Sequence, residues 1–181
     1  MYGVVSLLDD AHWQAVADIW DELEQARGIK RLREIIPYPH VTYHGAEEYD
    51  FDRLDGALTR LAATSTPFVI QTAGVGIFTG TKPVLYLAVV RNPELTRYHQ
   101  AVWAALAEAH VSVHAVDLYH PDRWVPHITL AQHDVDATTL PEAVRLLGER
   151  ALAWDLTISN IAVLHPESGR AEVWRRYTLE G

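Results

Sequence analysis

Length, composition and charge limit what this chain can be. Its 181 residues suit one domain, and 49% apolar with 22% charged residues is typical of a folded globular protein. The formal net charge is −9, which argues against duplex nucleic acid as a partner because that binding depends on many cationic contacts with phosphates. No apolar run approaches the ~18 residues that span a bilayer. The N-terminal residues lack a signal peptide's basic region, and cysteine is absent, so we expect a cytoplasmic protein without membrane or disulfide chemistry.

Hydrophobic periodicity and capping residues predict the elements of the first half. A buried strand over 3–8 precedes an amphipathic helix that begins at Asp9 or Asp10 and ends before Gly28. A basic stretch leads to IIPYPHVTYHG, a β-rich segment entered through two prolines. A second helix is predicted over 51–63. Two strands then follow, PFVIQTAGVGIF and PVLYLAVV, joined by a hairpin-like loop.

The second half repeats this order. A helix capped by Asn92 is followed by the strand RWVPHITLAQH, a helix over LPEAVRLLGERA and two closing strands. The chain is therefore predicted to be an α+β protein with a twofold internal repeat of about ninety residues. We expect a single bilobal domain over 1–181, with lobes of about 1–91 and 92–181 around a central cleft. Each lobe would hold a mostly antiparallel sheet flanked by helices, and exchange of strands between the lobes is left open.

One motif occurs in both halves. Pro39-His40-Val41-Thr42 matches Pro126-His127-Ile128-Thr129, 87 residues further on. Residues i and i+2 of a strand share a face, so each histidine projects together with its threonine while the residues between them point into the lobe. If a pseudo-twofold axis relates the lobes, the two His-Thr faces converge on one cleft.

Such a cleft suits in-line displacement at phosphorus. Two histidines with pKa values near 6.5 can share the roles of base for the attacking oxygen and acid for the leaving oxygen. The hydroxyls of Thr42 and Thr129 can donate to the non-bridging oxygens, where charge develops. One His-x-Thr alone would be weak support, since strands contain many threonines, but two copies at equivalent places are much stronger.

The tetrapeptides His40-Val41-Thr42-Tyr43 and His127-Ile128-Thr129-Leu130 resemble the signature of the two-histidine phosphoesterases, the group of 2′–5′ RNA ligase-like proteins and 2′,3′-cyclic nucleotide phosphodiesterases. The resemblance covers nearly the whole chain. It implies a bilobal fold and metal-independent chemistry, without a cofactor, on 2′,3′-cyclic or 2′–5′-linked phosphates. It also implies that His127 activates water and His40 protonates the leaving oxygen, although the pseudo-symmetry permits the reverse. Tyr43 departs from the signature, which usually has an aliphatic residue there.

Several weaker signals have an ordinary structural interpretation as well as a functional one. Tyr38 and Trp124 are candidates for base stacking and Arg123 for charge, because each lies close to a motif histidine. His44 shares the predicted face of Thr42 and could lie at the cleft rim or simply on the surface.

The glycine-rich segment 74–82 misses both nucleotide-loop templates and is predicted to be a turn. His110 and His114 stand four apart, but no further metal ligand accompanies them. A basic cluster before the first motif could attract a phosphate or merely complement a helix dipole; it comprises Arg27, Lys30, Arg31 and Arg33.

The sequence thus predicts a phosphoesterase acting on RNA 3′ ends or small cyclic nucleotides, with reversible 2′–5′ ligation as a further activity. The alternatives are a non-catalytic module that binds phosphates or RNA ends, and a phosphodiesterase for a non-RNA metabolite. A self-contained cleft makes a monomer the simplest expectation.

Overall fold

The computed structural model describes residues 1–181 and consists of helices packed on two antiparallel sheets. The nine strands are β1 (Tyr2–Leu7), β2 (His40–Tyr49), β3 (Phe68–Phe78), β4 (Val84–Val89), β5 (Ser112–Ala115), β6 (His127–Ala131), β7 (Asp155–Ile158), β8 (Asn160–Glu167) and β9 (Arg170–Thr178). The larger sheet has the order β5-β2-β1-β8-β9 and the smaller one the order β6-β4-β3-β7. Every strand pair is antiparallel. The predicted α+β class is confirmed.

Five α-helices and one short 3-10 helix surround the sheets. They are α1 (Asp10–Arg27), α2 (Arg31–Ile35), α3 (Phe51–Thr64), α4 (Pro93–Glu108), α5 (Leu140–Gly148) and the 3-10 helix Asp117–Tyr119. The side chain of Asp9 accepts from the backbone of His12 at the start of α1, and Gly28 ends that helix with a φ of 67°. These are the capping signals seen in the sequence. No helix is both long enough and apolar enough to cross a bilayer.

Strands from both halves of the chain enter each sheet. The larger sheet combines β1 and β2 with β5, β8 and β9, and the smaller one combines β3 and β4 with β6 and β7. A division of the chain at residue 91 therefore does not coincide with the division between the two sheets. Helix α2, within the basic stretch, is absent from the predicted elements because five residues are too few for a periodic pattern to emerge.

The two sheets approach each other through β2 and β6. β5 pairs only with the second half of β2, from Ala46 to Tyr49, so the first half of β2 has no strand on that side. β6 is an edge strand of the smaller sheet, and it contacts β2. The two strands that carry the repeated motif are thus neighbours although they belong to different sheets.

Most of the core is one continuous cluster of 40 buried residues shared by the sheets and helices. A separate cluster of Val5, Ala162 and Leu164 lies on the opposite face of the larger sheet. Val5 pairs with Thr42 in the β1–β2 register, so this small cluster lies on the motif-bearing face. Tyr38 packs against it.

Candidate active site

The first motif lies at the start of β2 with the predicted alternation. His40 and Thr42 are half-buried, whereas Val41 and Tyr43 are completely buried. The next residue breaks the alternation: Val5 pairs with Thr42 but Val4 pairs with His44, so Tyr43 is the extra residue of a β-bulge. The bulge turns the His44 side chain into the core. The two sequence-based interpretations of His44, at the cleft rim or on the surface, were both wrong: only 2% of it is exposed, and its Nδ1 lies 2.6 Å from the Tyr49 hydroxyl.

The second motif repeats this geometry at the start of β6. His127 and Thr129 are half-buried and Ile128 and Leu130 are buried. Tyr86 pairs with Thr129 while Leu85 pairs with Ala131, so Leu130 is again the extra residue of a bulge. The fourth position of both tetrapeptides therefore has one structural role. That role accounts for the tolerance of tyrosine at position 43, since the position needs a buried side chain rather than an aliphatic one.

The carbonyl of the proline before each motif histidine accepts a hydrogen bond from the end of the neighbouring strand. Leu8 donates its backbone N–H to the Pro39 carbonyl at 3.2 Å, and Val89 donates to the Pro126 carbonyl at 3.1 Å. Proline cannot donate a ladder hydrogen bond itself, so it suits the position just before a strand begins. The segments that enter β2 and β6 are therefore equivalent under the internal repeat.

Both motif histidines are held in the same tautomer. His40 Nδ1 lies 2.5 Å from the Tyr38 carbonyl oxygen, and His127 Nδ1 lies 2.7 Å from the Val125 carbonyl oxygen. A carbonyl oxygen can only accept, so Nδ1 carries the proton in each ring. In the neutral ring Nε2 then bears the free lone pair, which can take a proton from a substrate group.

Burial lowers the pKa values of both motif histidines. Burial lowers the pKa of His40 from 6.5 to about 4, and the nearby charge of His127 contributes to that lowering. Burial also lowers the pKa of His127, while the hydrogen bond to Val125 opposes that shift. Because a charge on His127 lowers the pKa of His40, we expect the site to disfavour protonation of both rings together.

An aromatic pair contacts His127 from the smaller sheet. The rings of Phe78 and Tyr86 stack with centroids 4.2 Å apart, and they lie 4.9 and 5.3 Å from the His127 ring. Tyr86 pairs with Gly76 across the β3–β4 ladder, and a Cβ at position 76 would overlap the tyrosine ring. This pair is not among the residues predicted from the sequence. Alternation along β4 puts the Tyr86 side chain on the face of the sheet opposite that of Leu85 and Leu87. Only the strand register shows that this side chain lies beside His127.

Trp124 does not present a free face for a base, contrary to the prediction from sequence. Only 2% of the residue is exposed, and its indole stacks on His99 with centroids 3.8 Å apart and planes 17° apart. The Arg91 guanidinium lies 5.9 Å from the indole centroid. The indole N–H donates to the Thr42 carbonyl at 2.9 Å. Trp124 is therefore a packing residue that connects the two motifs.

Tyr38 and Arg123 are each engaged by an acidic residue. The hydroxyl of Tyr38 donates to Glu172 on β9 at 2.9 Å, and the Tyr38 carbonyl orients His40. Arg123 is exposed, and its guanidinium pairs with Asp117 on the 3-10 helix. The structure thus places Tyr38 beside the first motif and Arg123 at the surface.

The remaining sequence signals resolve into ordinary structure. Gly74 and Gly76 belong to β3, and Gly74 has a φ of 96° at the point where the β3–β4 register shifts, so the segment is not a nucleotide loop. His114 is exposed and pairs with Glu47. No group of three or more His, Cys, Asp or Glu side chains is arranged to hold a metal ion. Each cation of the basic cluster pairs with a carboxylate; the four pairs are Arg27–Glu142, Lys30–Glu24, Arg31–Glu34 and Arg33–Asp21.

Comparison with known proteins identifies the family and the fold of this chain. The family model of the 2′-5′ RNA ligase superfamily matches residues 8–170. The protein TT0787 of Thermus thermophilus superposes with a TM-score of 0.67 at 19% identity, covering 99% of this chain and 98% of that one. E. coli LigT in complex with NADP⁺ gives a TM-score of 0.63 at 16% identity, covering 99% and 97%. A search of curated protein sequences gave no significant match. These structures share the fold, and the family match extends over most of the sequence. The chain belongs to the 2′-5′ RNA ligase superfamily, whose members are ligases and phosphoesterases.

Proposed function

We propose that this protein hydrolyses 2′,3′-cyclic phosphates at RNA 3′ ends or on nucleotides, with His40 and His127 as acid and base and no metal ion in the reaction. Reversible 2′–5′ ligation is the same chemistry with an RNA hydroxyl in place of water. We expect the protein to act as a monomer in the cytoplasm.

One observation carries the proposal: two imidazoles on adjacent strands of different sheets are locked in the same tautomer. Each donates Nδ1–H to the carbonyl two residues earlier, which leaves Nε2 of each ring for the substrate. An in-line displacement needs one proton acceptor and one proton donor on opposite sides of phosphorus. Two equivalent imidazoles meet that need when they share one proton.

The reaction follows from that proton count. His127 Nε2 takes a proton from water as the water oxygen bonds to phosphorus. The bond from phosphorus to one ribose oxygen breaks, and protonated His40 gives its Nε2 proton to that oxygen. One proton enters the histidine pair and one leaves it, so the pair ends with the two roles exchanged. The hydroxyls of Thr42 and Thr129 donate to the non-bridging oxygens as their negative charge increases.

The electrostatics of the site favour a singly protonated pair. Repulsion between the imidazoles opposes a second proton, and a bound phosphate, being anionic, raises the pKa of the ring that is protonated. The anion thus helps to place the proton that its own leaving oxygen needs.

Structures of a relative support the substrate class. E. coli LigT has been solved in complex with 3′-AMP, with a TM-score of 0.58 to this chain at 13% identity. A nucleoside monophosphate is the product type that opening of a cyclic phosphate gives. This supports nucleotides as ligands of the cleft.

The test is incubation with the four nucleoside 2′,3′-cyclic monophosphates and a cyclic-phosphate-ended oligoribonucleotide, with EDTA present throughout. The His40→Ala/His127→Ala double variant is the inactive control, and His133→Asn, at an exposed histidine, is the matched active one. We expect the wild type and His133→Asn to release a nucleoside monophosphate and the double variant to release none. Absence of turnover by the wild type, or full inhibition by EDTA, would overturn the proposal. In that case, a cyclic nucleotide that still raises the melting temperature would favour a binding module.

A further inference from the structure

Each bulge that follows a His-x-Thr motif receives a hydrogen bond from a tryptophan of the opposite half of the chain. The Trp20 indole on α1 donates to the Leu130 carbonyl at 2.9 Å. The Trp103 indole on α4 donates to the Tyr43 carbonyl at 2.8 Å. Leu130 and Tyr43 are the extra residues of the two bulges. The first helix thus supports the second motif, and the fourth helix supports the first.

The two tryptophans are equivalent under the internal repeat. Trp20 stands eleven residues after Asp9, the N-cap of α1, and Trp103 stands eleven residues after Asn92, the N-cap of α4. Equal spacing from the helix start places both indoles at the same height along their helices. The sequence carries this signal, although nothing in it shows which carbonyl each indole reaches.

A bulge needs such support where it adjoins a reactive side chain. The extra residue of a bulge is left out of the ladder, so its buried carbonyl requires another donor. That carbonyl lies in the peptide that follows the bulge residue, one residue past each motif threonine. Fixing its direction restrains the backbone dihedrals of the bulge residue, to which the threonine is directly joined. Because β6 is an edge strand and the first half of β2 lacks an outer neighbour, the sheets alone do not provide that restraint.

We propose that Trp20 and Trp103 are positioning residues that hold Thr129 and Thr42 toward the phosphate through the bulge carbonyls. Two side chains donate to the Tyr43 carbonyl, since His99 Nε2 also lies 2.9 Å from it. The Leu130 carbonyl has the Trp20 indole as its side-chain donor. Removal of the Trp20 N–H therefore has the larger effect.

The kinetic test rests on the proposed function and compares Trp20→Phe, Trp103→Phe and Trp154→Phe. Trp154 is the matched control, because its indole also donates to a carbonyl, that of Ala151, far from either motif in the sequence. For Trp20→Phe we expect kcat to fall roughly tenfold with KM nearly unchanged, since positioning acts on the transition state. Trp103→Phe should lower kcat by about threefold, because His99 remains as a donor. Trp154→Phe should leave kcat unchanged.

A double-mutant cycle separates positioning from general destabilisation. If Trp20 acts through Thr129, then Trp20→Phe has little further effect on kcat in a Thr129→Val background but keeps its full effect in a Thr42→Val background. Equal losses in both backgrounds, or a Trp20→Phe kcat within about twofold of wild type, would overturn the proposal. If Trp20→Phe does not fold, the benzothienyl analogue of tryptophan at position 20 keeps the ring shape and removes only the N–H.

A spectroscopic measurement keeps this proposal distinct from the proposed activity. If the wild type turns over no cyclic phosphate, the methyl signals of the threonines still report the bulges. We expect Trp20→Phe to broaden the Thr129 methyl signal through conformational exchange and to leave that of Thr42 sharp, with the reverse for Trp103→Phe. A sharp Thr129 signal in Trp20→Phe would overturn the positioning role whatever the substrate is.

Discussion

Trp124 donates its indole N–H to the backbone carbonyl of Thr42 at 2.9 Å, and it stands three residues before His127. One hydrogen bond therefore links the segment that delivers the second motif to the strand that carries the first. The two motifs lie on different sheets, so a direct connection between them helps to fix the separation of the two imidazoles. The buried stack of Trp124 on His99 keeps the indole in place.

The first prediction concerns this connection. Trp124→Phe retains an aromatic ring but removes the indole N–H that donates to the partly buried Thr42 carbonyl, so we expect the free energy of unfolding to fall by about 1–3 kcal/mol. Because the Trp124 indole is buried and covered by His99, the KM for cyclic nucleotides should stay within about twofold of wild type. Urea unfolding and steady-state kinetics measure the two effects. A large rise in KM with unchanged stability would instead indicate direct contact with the substrate.

The second prediction assigns the acid and the base. Replacement of either motif histidine by alanine should lower the rate on a cyclic phosphate by about 10²- to 10⁴-fold. A nitrophenyl phosphodiester has a leaving group that needs no protonation, so on that substrate the loss should shrink for His40→Ala and persist for His127→Ala. The reverse pattern would exchange the two roles. Equal losses on both substrates would contradict an acid–base pair.

The third prediction follows from two histidines that the reaction does not use. Burial lowers the pKa of His44 and of His99 to about 4, whereas an unfolded chain has a histidine pKa near 6.5. The unfolded state thus binds more protons than the folded state between these pKa values. The contribution of the two neutral histidines to stability is therefore fully present above pH 6.5 and is lost as the pH falls toward 4. We expect the free energy of unfolding to drop by roughly 1–3 kcal/mol per buried histidine across that range.

Urea unfolding between pH 7 and 4.5 measures this drop. His44→Gln and His99→Gln should each flatten the pH dependence. The exposed His133 has a positive φ that asparagine tolerates, so His133→Asn serves as the control and should not flatten it. A stability that is constant over this pH range would contradict the third prediction.

The fourth prediction concerns the glycine beneath Tyr86. Gly76→Ala introduces a methyl group where the Tyr86 ring lies, so the ring must swing away and its contact with His127 is lost. Because the displaced ring is half-exposed, the free energy of unfolding should change by less than about 1 kcal/mol. We expect a several-fold loss of kcat, with Gly148→Ala as control because a Cβ there meets no atom within 4 Å. Unchanged kinetics in Gly76→Ala would exclude a role for the aromatic pair.

Local patterns in the sequence predict a large part of the fold and the centre of the site. The capped helices, the α+β class and the shared face of each histidine with its threonine follow from periods of 3.6 and 2 residues. The internal repeat predicts the pairing of His40 with His127. These features depend only on residues close together in the chain or on a motif that occurs twice.

The wrong predictions concern places where distant parts of the chain meet. Strict alternation puts His44 on the cleft face, and a bulge at Tyr43 reverses it. The position of Trp124 just before His127 suggests a stacking platform, but α4 supplies His99 to cover the indole. Strand register and helix packing decide both cases, and neither can be derived from a single sequence.

The pH dependence of kcat/KM on a cyclic nucleotide, measured with EDTA present, tests the central claim most directly. Activity requires one neutral and one protonated imidazole, and burial lowers both pKa values in the free protein. The account therefore predicts a bell-shaped profile with its optimum on the acid side of pH 6.5 and a decline toward pH 8. A profile that is flat between pH 5 and 8 would contradict the claim that His40 and His127 share one catalytic proton.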